Sequence, residues 1–519
     1  HIPLIVSSIF RPPAAVSSLT PSCSPLLSFP ISSPPAYGRP PAVSGGGPRA
    51  SSSPPHERKM VQKTSSITIS SLLFQFLLFV SPLIRADFGK QEERWCGCPN
   101  RRPPEEERRF RSATVEKAIN SVVGMIKDRE LACLFANCFP NTLDTTVFLH
   151  TPGETAGSGK SGGGSGVLAD TFIITGDIPA MWLRDSCNQV LPYMRFVSSD
   201  PALAQLIEGL IHRQASQVLA DPYANAHNIP SLTGPSPHTS DATSNPTFGP
   251  SRTDAMVPGI FERKFELDSL CAFLKLSRSY YEATNSTAPF TENPDWAGAV
   301  VRAISVIDSM RMSSESEAAQ EGGPIYQFQR AALEPTDTLL HGTGSPGAET
   351  GMARSPFRPS DDATTFPFLV PANAMAVVEL RRVANLMRKA GSRDMLSLAD
   401  RAEVLANEID QGIQTYAVIK HPSTGEVYAY EVDGFGNSYF ADDANVPSLL
   451  SLPYLGYVPA NDTVYKRTRH GVLSRANPWY FNGTAGSGIG GPHVGLDMIW
   501  PMSIIMRALT STDDREIAE

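Results

Sequence analysis

The sequence predicts an all-α fold in which helical hairpins are arranged in a ring, and three observations carry that prediction. Apolar residues recur at helical spacing over long runs, in Thr114–Ile126, Phe366–Met387, Asp394–Ala417 and Leu496–Leu509. Strand-like alternation is scarce. Its best candidate is Glu426–Val432, which reads as one short hairpin. One local pattern also repeats, with acidic residues standing just ahead of a helix-like run: Trp182-Leu183-Arg184-Asp185-Ser186, Phe265-Glu266-Leu267-Asp268-Ser269, Ser360-Asp361-Asp362 and Ala441-Asp442-Asp443.

From Asp185 to Asp268, Asp361 and Asp442 the intervals run from 81 to 93 residues. Solenoid units are about 20–50 residues long, so a unit near twice that length holds a helix pair and a long loop. Closing such pairs into a ring collects the acidic stations at one end, around a hollow suited to a polyol. Each station alone has an ordinary explanation. A Ser or Asp at a helix start accepts hydrogen bonds from orphan N–H groups and complements the macrodipole. It is the repetition that points further.

The chain has 519 residues, of which 41% are hydrophobic and 18% charged, enough for a large core. Its net charge of −8 leaves no basic surplus to neutralise phosphates, which argues against a nucleic-acid partner. Residues 1–59 are rich in Ser, Pro and Gly and cannot bury enough apolar surface to fold, so they read as a non-native or disordered leader. Met60 then opens a signal-peptide layout over residues 60–86: Lys63, an apolar core from Ile67 to Ile84, and Arg85-Ala86. The rival is an uncleaved anchor, which Gln75, Pro82 and a core near the lower length limit of a span disfavour. Cleavage is expected to leave no stable membrane insertion and to deliver the chain to the secretory pathway, secreted or in the Golgi lumen.

Asn285-Ser286-Thr287, Asn461-Asp462-Thr463 and Asn482-Gly483-Thr484 match the glycosylation acceptor pattern of that compartment. Outside the leader lie Cys96, Cys98, Cys133, Cys138, Cys187 and Cys271, an even set that permits disulfides without specifying pairs. Their spacing lacks the zinc pattern, so no metal is expected. Residues 87–111 are charged and proline-bearing and read as a linker to the main domain, 112–519. Gly157-Ser158-Gly159-Lys160-Ser161 imitates a phosphate loop, but Glu154 stands where its first glycine belongs, and the stretch reads as a surface insertion. Residues 231–253 and 342–353 read as further long polar loops.

Gly176-Asp177-Ile178-Pro179-Ala180-Met181-Trp182-Leu183-Arg184-Asp185-Ser186 closely resembles a signature of glycoside hydrolase family 125, the exo-α-1,6-mannosidases. Four further blocks are similar to the same family: Pro140–Thr146, Phe261–Ser269, Phe357–Ala363, and Gly491–Gly495 with Trp500-Pro501. The resemblance spans residues 112–519. It implies an (α/α)6 barrel and hydrolysis of terminal α-1,6-linked mannose with inversion, which needs two carboxyls about 6.5–9.5 Å apart.

The family's general acid falls on Asp361 or Asp362. Its base is a Glu in a segment following the counterpart of Thr510–Asp514. That base is therefore expected beyond Glu519, so the barrel reads as incomplete at its C-terminus and the chain as written is expected to turn over little. Candidate sugar-binding residues are Trp182, Arg184, Asp185, Glu262, Arg263, Asp268, Arg358, Asp442, Asp443 and His493. Trp182 is either a stacking platform or a core residue, and Glu262, Arg263 and Asp268 are either ligands or a structural ion-pair network. The resemblance implies no cofactor and no metal. The partner expected is a mannose-containing glycan. Rival readings are an α-glucoside hydrolase on the same barrel and a mannan-binding secretory protein without turnover.

Overall fold

In the computed structural model, which describes residues 98–153, 167–230, 237–244, 256–321 and 323–518, the helical runs form ten α-helices of eight residues or more. They are α1 (Ala113–Met125), α2 (Arg129–Cys138), α3 (Leu183–Val190), α4 (Pro201–Ala220), α5 (Leu267–Thr284), α6 (Pro294–Ser309), α7 (Val370–Ala390), α8 (Arg393–Gly412), α9 (Thr463–Val472) and α10 (Pro501–Leu509). The leader, the segment 60–86 and the glycine-rich imitation of a phosphate loop lie outside the described residues.

Burial separates these helices into two kinds. Every residue of α5 from Leu267 to Arg278 is buried, as is every residue of α7 from Val370 to Leu380. A helix apolar on all sides belongs to an interior. The helices before, between and after them in sequence bury one stripe each: Leu203, Leu206, Ile207, Leu210 and Val218 on α4, Trp296, Val300, Ala303 and Ile307 on α6, and Leu398, Ala402, Leu405 and Ile409 on α8. The interior helices pack side by side, α3 on α5 and α5 on α7, while α4 packs on α6 and α8 on α7. Local signals fix the ends. Asp200 caps α4 at Leu203 N (3.0 Å) with Pro201 at its first position, Ser392 caps α8, and α7 stops at Gly391, whose φ of 82° lies in the left-handed region.

Strands are more numerous than expected. Among the described residues they form six antiparallel sheets of two or three short strands. These sheets set the entries to the interior helices. One joins β3 (Ala180–Trp182), β4 (Ala226–Asn228) and β6 (Ile260–Glu262), and β3 runs directly into α3. Another joins β8 (Phe368–Leu369), β11 (Glu431–Val432) and β12 (Ser438–Tyr439), and β8 runs directly into α7. Pairing these entries through sheets aligns the acidic stations at one end of the helices.

The expected hairpin at Glu426–Val432 is divided. Gly425–Tyr428 (β10) pairs with Val418–His421 (β9), whereas Glu431 and Val432 pair with β8 and β12. Residues 342–353 are not a loose polar loop, since Thr350, Met352 and Ala353 are buried. Gly351 (φ 83°) is needed there because a Cβ would lie 2.9 Å from Glu408 O. In the stretch read as a linker, Arg102 donates to Asp144 and Glu116, and Cys98 is disulfide-bonded to Cys133. Among the described residues no helix is long and apolar enough to cross a membrane.

One buried ion pair ties the interior helices together. Arg278 on α5 donates through Nε and Nη2 to both oxygens of Glu379 on α7, at 2.8 and 2.9 Å, with the carboxylate almost wholly enclosed. Removing one partner leaves an uncompensated buried charge, which costs about 3–5 kcal/mol. Glu379→Ala is therefore expected to lose about that much in denaturant unfolding, and Glu379→Gln less. Equal unfolding midpoints for the Glu379→Ala variant and wild type would contradict this.

Candidate active site

The site is built on one turn. Phe357 and Ala363 form an isolated antiparallel bridge, the Arg358 N–H donates to Asp362 O (2.8 Å), and the Asp361 N–H donates to Arg358 O (2.9 Å). Asp361 has φ 69°, a left-handed conformation that Asp tolerates better than most side chains. The capping explanation fails for this station, because α7 begins only at Val370.

Three contacts hold the turn from outside. Arg358 Nε donates to Glu431 Oε1 (2.6 Å), and its guanidinium lies over the Tyr430 ring. Glu431 Oε2 accepts from the backbone N–H groups of Thr365 and Phe366. From the other side, Lys264 Nζ donates to Asp361 O (2.8 Å).

The two neighbouring carboxyls meet different partners. Asp361 faces a buried cluster on the entries to α3 and α5. There Arg184 is ion-paired with Glu266 and lies 3.4 Å from Asp268 and 3.2 Å from Asp185. Asp362 Oδ2 accepts from Ser360 Oγ (2.8 Å) and lies 3.7 Å from His493 Nδ1. His493 stacks on Trp500, and the turn bridged by Gly491 and Gly495 brings it in. Gly491 lies so close to Asp443 that a Cβ would stand 2.8 Å from Oδ2, so glycine is required there.

The electrostatics of the Arg184 cluster follow from burial. Desolvation pushes Asp268 up to about 6, raises Asp185, and drives Glu266 well above the usual carboxylate range. Burial acts on Asp361 too. There the Lys264 and Arg184 cations outweigh it and hold the carboxyl below its ordinary value. Several buried polar atoms around the turn have no hydrogen-bond partner: Asp268 Oδ1, Asp361 Oδ1, Asp443 Oδ2 and Tyr430 OH. Each such atom costs about 1–3 kcal/mol. Together they leave three acceptors and a hydroxyl without a protein partner around two adjacent carboxyls, a strongly polar setting.

The turn therefore gathers Arg184, Asp185, Asp268, Asp361, Asp362, Asp443 and His493. Other candidates are engaged elsewhere. Arg263 is fully buried, pairs with Asp221 (2.6 Å) and Thr243, and lies over the rings of Tyr223 and Tyr326; its work is packing. Both oxygens of Asp442 are taken by the backbone N–H groups of Leu449 and Leu450. Arg358 is held by Glu431 and Thr365 and is not among the cations that act on Asp361. Trp182 packs against Phe261 with only 5% of its surface exposed, although its Nε1 has no partner. Glu262 accepts from Asn225 (3.0 Å) and pairs with Arg330 (2.9 Å); the same Asn225 amide reaches Glu266, which joins Glu262 to the Arg184–Asp268 cluster, while Arg263 pairs with Asp221.

Glu266, Lys264, Tyr430 and Glu431 were missed as site residues. The first two had a readable signal. The chain is extended from β6 to Glu266, so Glu262, Lys264 and Glu266 share one face while Arg263 and Phe265 take the other. Among the described residues, no three His, Cys, Asp or Glu side chains are grouped to hold a metal ion.

A family model described as metal-independent alpha-mannosidase, glycoside hydrolase family 125, matches residues 128–519. The chain belongs to glycoside hydrolase family 125. It is 45% identical over 426 residues to the meiotically up-regulated gene 157 protein of Schizosaccharomyces pombe, covering 81% of this chain and 79% of that protein. A Streptococcus pneumoniae structure, described as a metal-independent alpha mannosidase in a non-productive complex with α-1,6-mannobiose, matches with a TM-score of 0.67 and 36% identity. The match covers 79% of this chain and 87% of that one. Membership of family 125 makes this chain a glycosidase of the α-mannosidase type.

Burial of Asp268 gives this family-125 site a pH signature. A carboxyl raised from about 3.9 in the unfolded chain to about 6 contributes stability that is full below the lower value and lost as pH rises through the upper one. Asp268→Asn is therefore expected to flatten the decline in melting temperature between about pH 4 and pH 6. A slope equal to that of wild type would show that Asp268 does not titrate there.

Proposed function

We propose that the protein is an inverting, exo-acting α-mannosidase that removes terminal α-1,6-linked mannose from glycans, with its general acid on the Asp361–Asp362 turn. The observation that carries this reading is the turn itself: two carboxyls ringed by buried acceptors and a hydroxyl that lack partners, in a chain 36% identical to an enzyme described with α-1,6-mannobiose. Geometry favours Asp361 as the acid, because its Oδ1 has no partner whereas Asp362 is held by Ser360 and faces His493. Asp185 then binds sugar hydroxyls, with Asp268, Asp443 and Tyr430 enclosed behind it, and His493 closes the rim.

The alternation of α3, α5 and α7, buried over most or all of their first turns, with one-sided α4, α6 and α8 supports an (α/α)6 ring as the scaffold. Among the described residues Glu516 is a poor candidate for the general base, being tied to Arg469, Arg507 and Ser511.

Removing a positioned acid or base costs about 10²–10⁴-fold. The protein is expected to release mannose from α-1,6-mannobiose, with the β anomer appearing first by NMR. Asp361→Asn is expected to reduce turnover by at least the lower figure. Preference for aryl α-glucosides would transfer the reading to a glucoside hydrolase. Mannan retention without any turnover would transfer it to a binding protein.

A secretory compartment, outside the cell or in the Golgi lumen, is part of the proposal. The Cys98–Cys133 disulfide fits an oxidising environment, and Asn285, Asn461 and Asn482 are all exposed. Protein made through a secretory host is expected to lose mass on treatment with peptide N-glycosidase, with deamidation at those three asparagines. An unchanged mass would remove this support.

A further inference from the structure

We propose that Asp337 is a positioning residue of the site, which acts through Lys264 to hold the turn that presents Asp361. The proposal rests on the mannosidase reading only for the step that this turn serves. Lys264 is buried between β6 and α5, and its ammonium reaches both ends of the turn: it donates to Asp361 O (2.8 Å) and lies 5.3 Å from the centroid of the Phe357 ring. An ammonium carries three N–H donors and no acceptor, so a buried one is fixed in place by the oxygens that take those donors. Asp337 Oδ1 takes the second.

The neighbouring carboxylates do not duplicate this contact. Glu262 Oε1 stands 4.0 Å from Lys264 Nζ, outside hydrogen-bond distance, and that side chain already serves Arg330 (2.9 Å) and Asn225 (3.0 Å). Asp361 meets Lys264 through its carbonyl. Burial by itself lowers Lys264, but the charges of Glu262 and Asp361 and the hydrogen bond to Asp337 outweigh it and hold the ammonium above its ordinary value. The cation therefore persists in the interior, and the direction in which it donates is set by Asp337.

The loop that supplies Asp337 is fastened to the turn by polar contacts. Residues 331–335 are exposed throughout, so packing does not hold them. Arg330 donates to both oxygens of Asp241 (2.9 and 2.6 Å), and at the far end of the loop its backbone N–H reaches Thr338 Oγ1 (3.0 Å) and its Nη1 reaches Asp337 Oδ1 (3.2 Å). Thr336 O accepts from the Ala363 N–H (2.7 Å), where the turn closes. Two consecutive residues of the loop thus hold the turn, Thr336 directly and Asp337 through Lys264. Asn in place of Asp337 keeps the volume and removes the charge. Lys264 then swings toward Glu262, and the Asp361 carbonyl loses its donor. The Asp337 side chain is 33% exposed, so the substitution opens no core.

Two measurements test this. In NMR of 15N-labelled lysine ammonium groups, the protein is expected to show an Nζ signal protected from water, assigned by its absence from Lys264→Arg. Exchange of that signal is expected to be about tenfold faster or more in Asp337→Asn, where a hydrogen bond to a charged group is lost, and near wild type in Asp337→Glu. Absence of a protected signal from wild type, or unchanged exchange in Asp337→Asn, overturns the proposal. On α-1,6-mannobiose, Asp337→Asn is expected to lower kcat by about tenfold to 100-fold, as a small misplacement of a reacting group does, with KM within about twofold. The melting temperature is expected to hold, and Asp337→Glu to recover kcat. A loss of kcat matched by a fall in melting temperature and not recovered by Glu would reduce Asp337 to a structural role and overturn the proposal. If wild type leaves the disaccharide intact, the mannosidase reading fails while the ammonium signal still decides the role of Asp337.

Discussion

A single backbone constraint organises the site: Asp361 must take a left-handed conformation for the turn between Phe357 and Ala363 to close. Two successive acidic side chains would otherwise compete for one volume. With Asp361 at φ 69°, they take different partners, one joining the Arg184 cluster and the other Ser360 and His493. Such a conformation costs of order 1 kcal/mol or more and persists only where the surroundings over-determine it. Arg358 is locked to Glu431, Glu431 holds two backbone N–H groups beyond the turn, and Lys264 holds the Asp361 carbonyl. The sheet of β8, β11 and β12 has the same purpose at larger scale, since it carries Glu431 to the turn and starts α7.

The second theme is an intended imbalance of charge. Surface carboxylates would be screened and cheap, but these are buried, where each uncompensated charge is expensive. The Arg184 cluster answers partly with two cations and partly by keeping Asp185, Asp268 and Glu266 above their ordinary range. A site tuned in this way holds protons near neutral pH, as acid catalysis on a glycosidic oxygen requires. The atoms without partners are the complementary half of the arrangement: left unpaired, they weaken the free protein.

Much of this was legible in the sequence, and the exceptions have physical causes. Helical runs were readable because burial of α5 and α7 leaves long apolar stretches and because Ser392, Asp200 and Gly391 mark ends. The acidic stations were readable as a repeat, and Asp185, Asp268 and Asp361 do come together. Asp442, from the same repeat, was indistinguishable by spacing and turned out to cap Leu449 and Leu450, because a buried carboxylate serves a chain end as readily as a ligand. Arg263 failed for a different reason. In an extended segment a shift of one residue reverses the face, and reading the Phe261–Ser269 block as a unit hid the alternation that sets Lys264 and Glu266 with the site. Glu431 was hidden inside an apolar run that read as a hairpin, its role being visible only once β11 pairs with β8.

The same geometry argues where the second catalytic carboxyl cannot lie. Inversion requires a water between acid and base, and hence carboxyls about 6.5–9.5 Å apart. Asp362 is the nearest carboxyl in sequence to Asp361, but it is 4% exposed and its Oδ2 is occupied by Ser360 with His493 beside it. Glu266 and Asp268 lie on the Arg184 side with no exposed surface at all, and a base that must hold a water cannot be sealed from it. Asp443 has a free Oδ2, yet the Gly491 backbone covers that oxygen closely enough to exclude even a methyl group. Of the carboxyls around the turn Asp185 keeps the most exposed side chain, 26% beside Arg184, so the proposed base is either that group or one that reaches the rim from elsewhere in the protein.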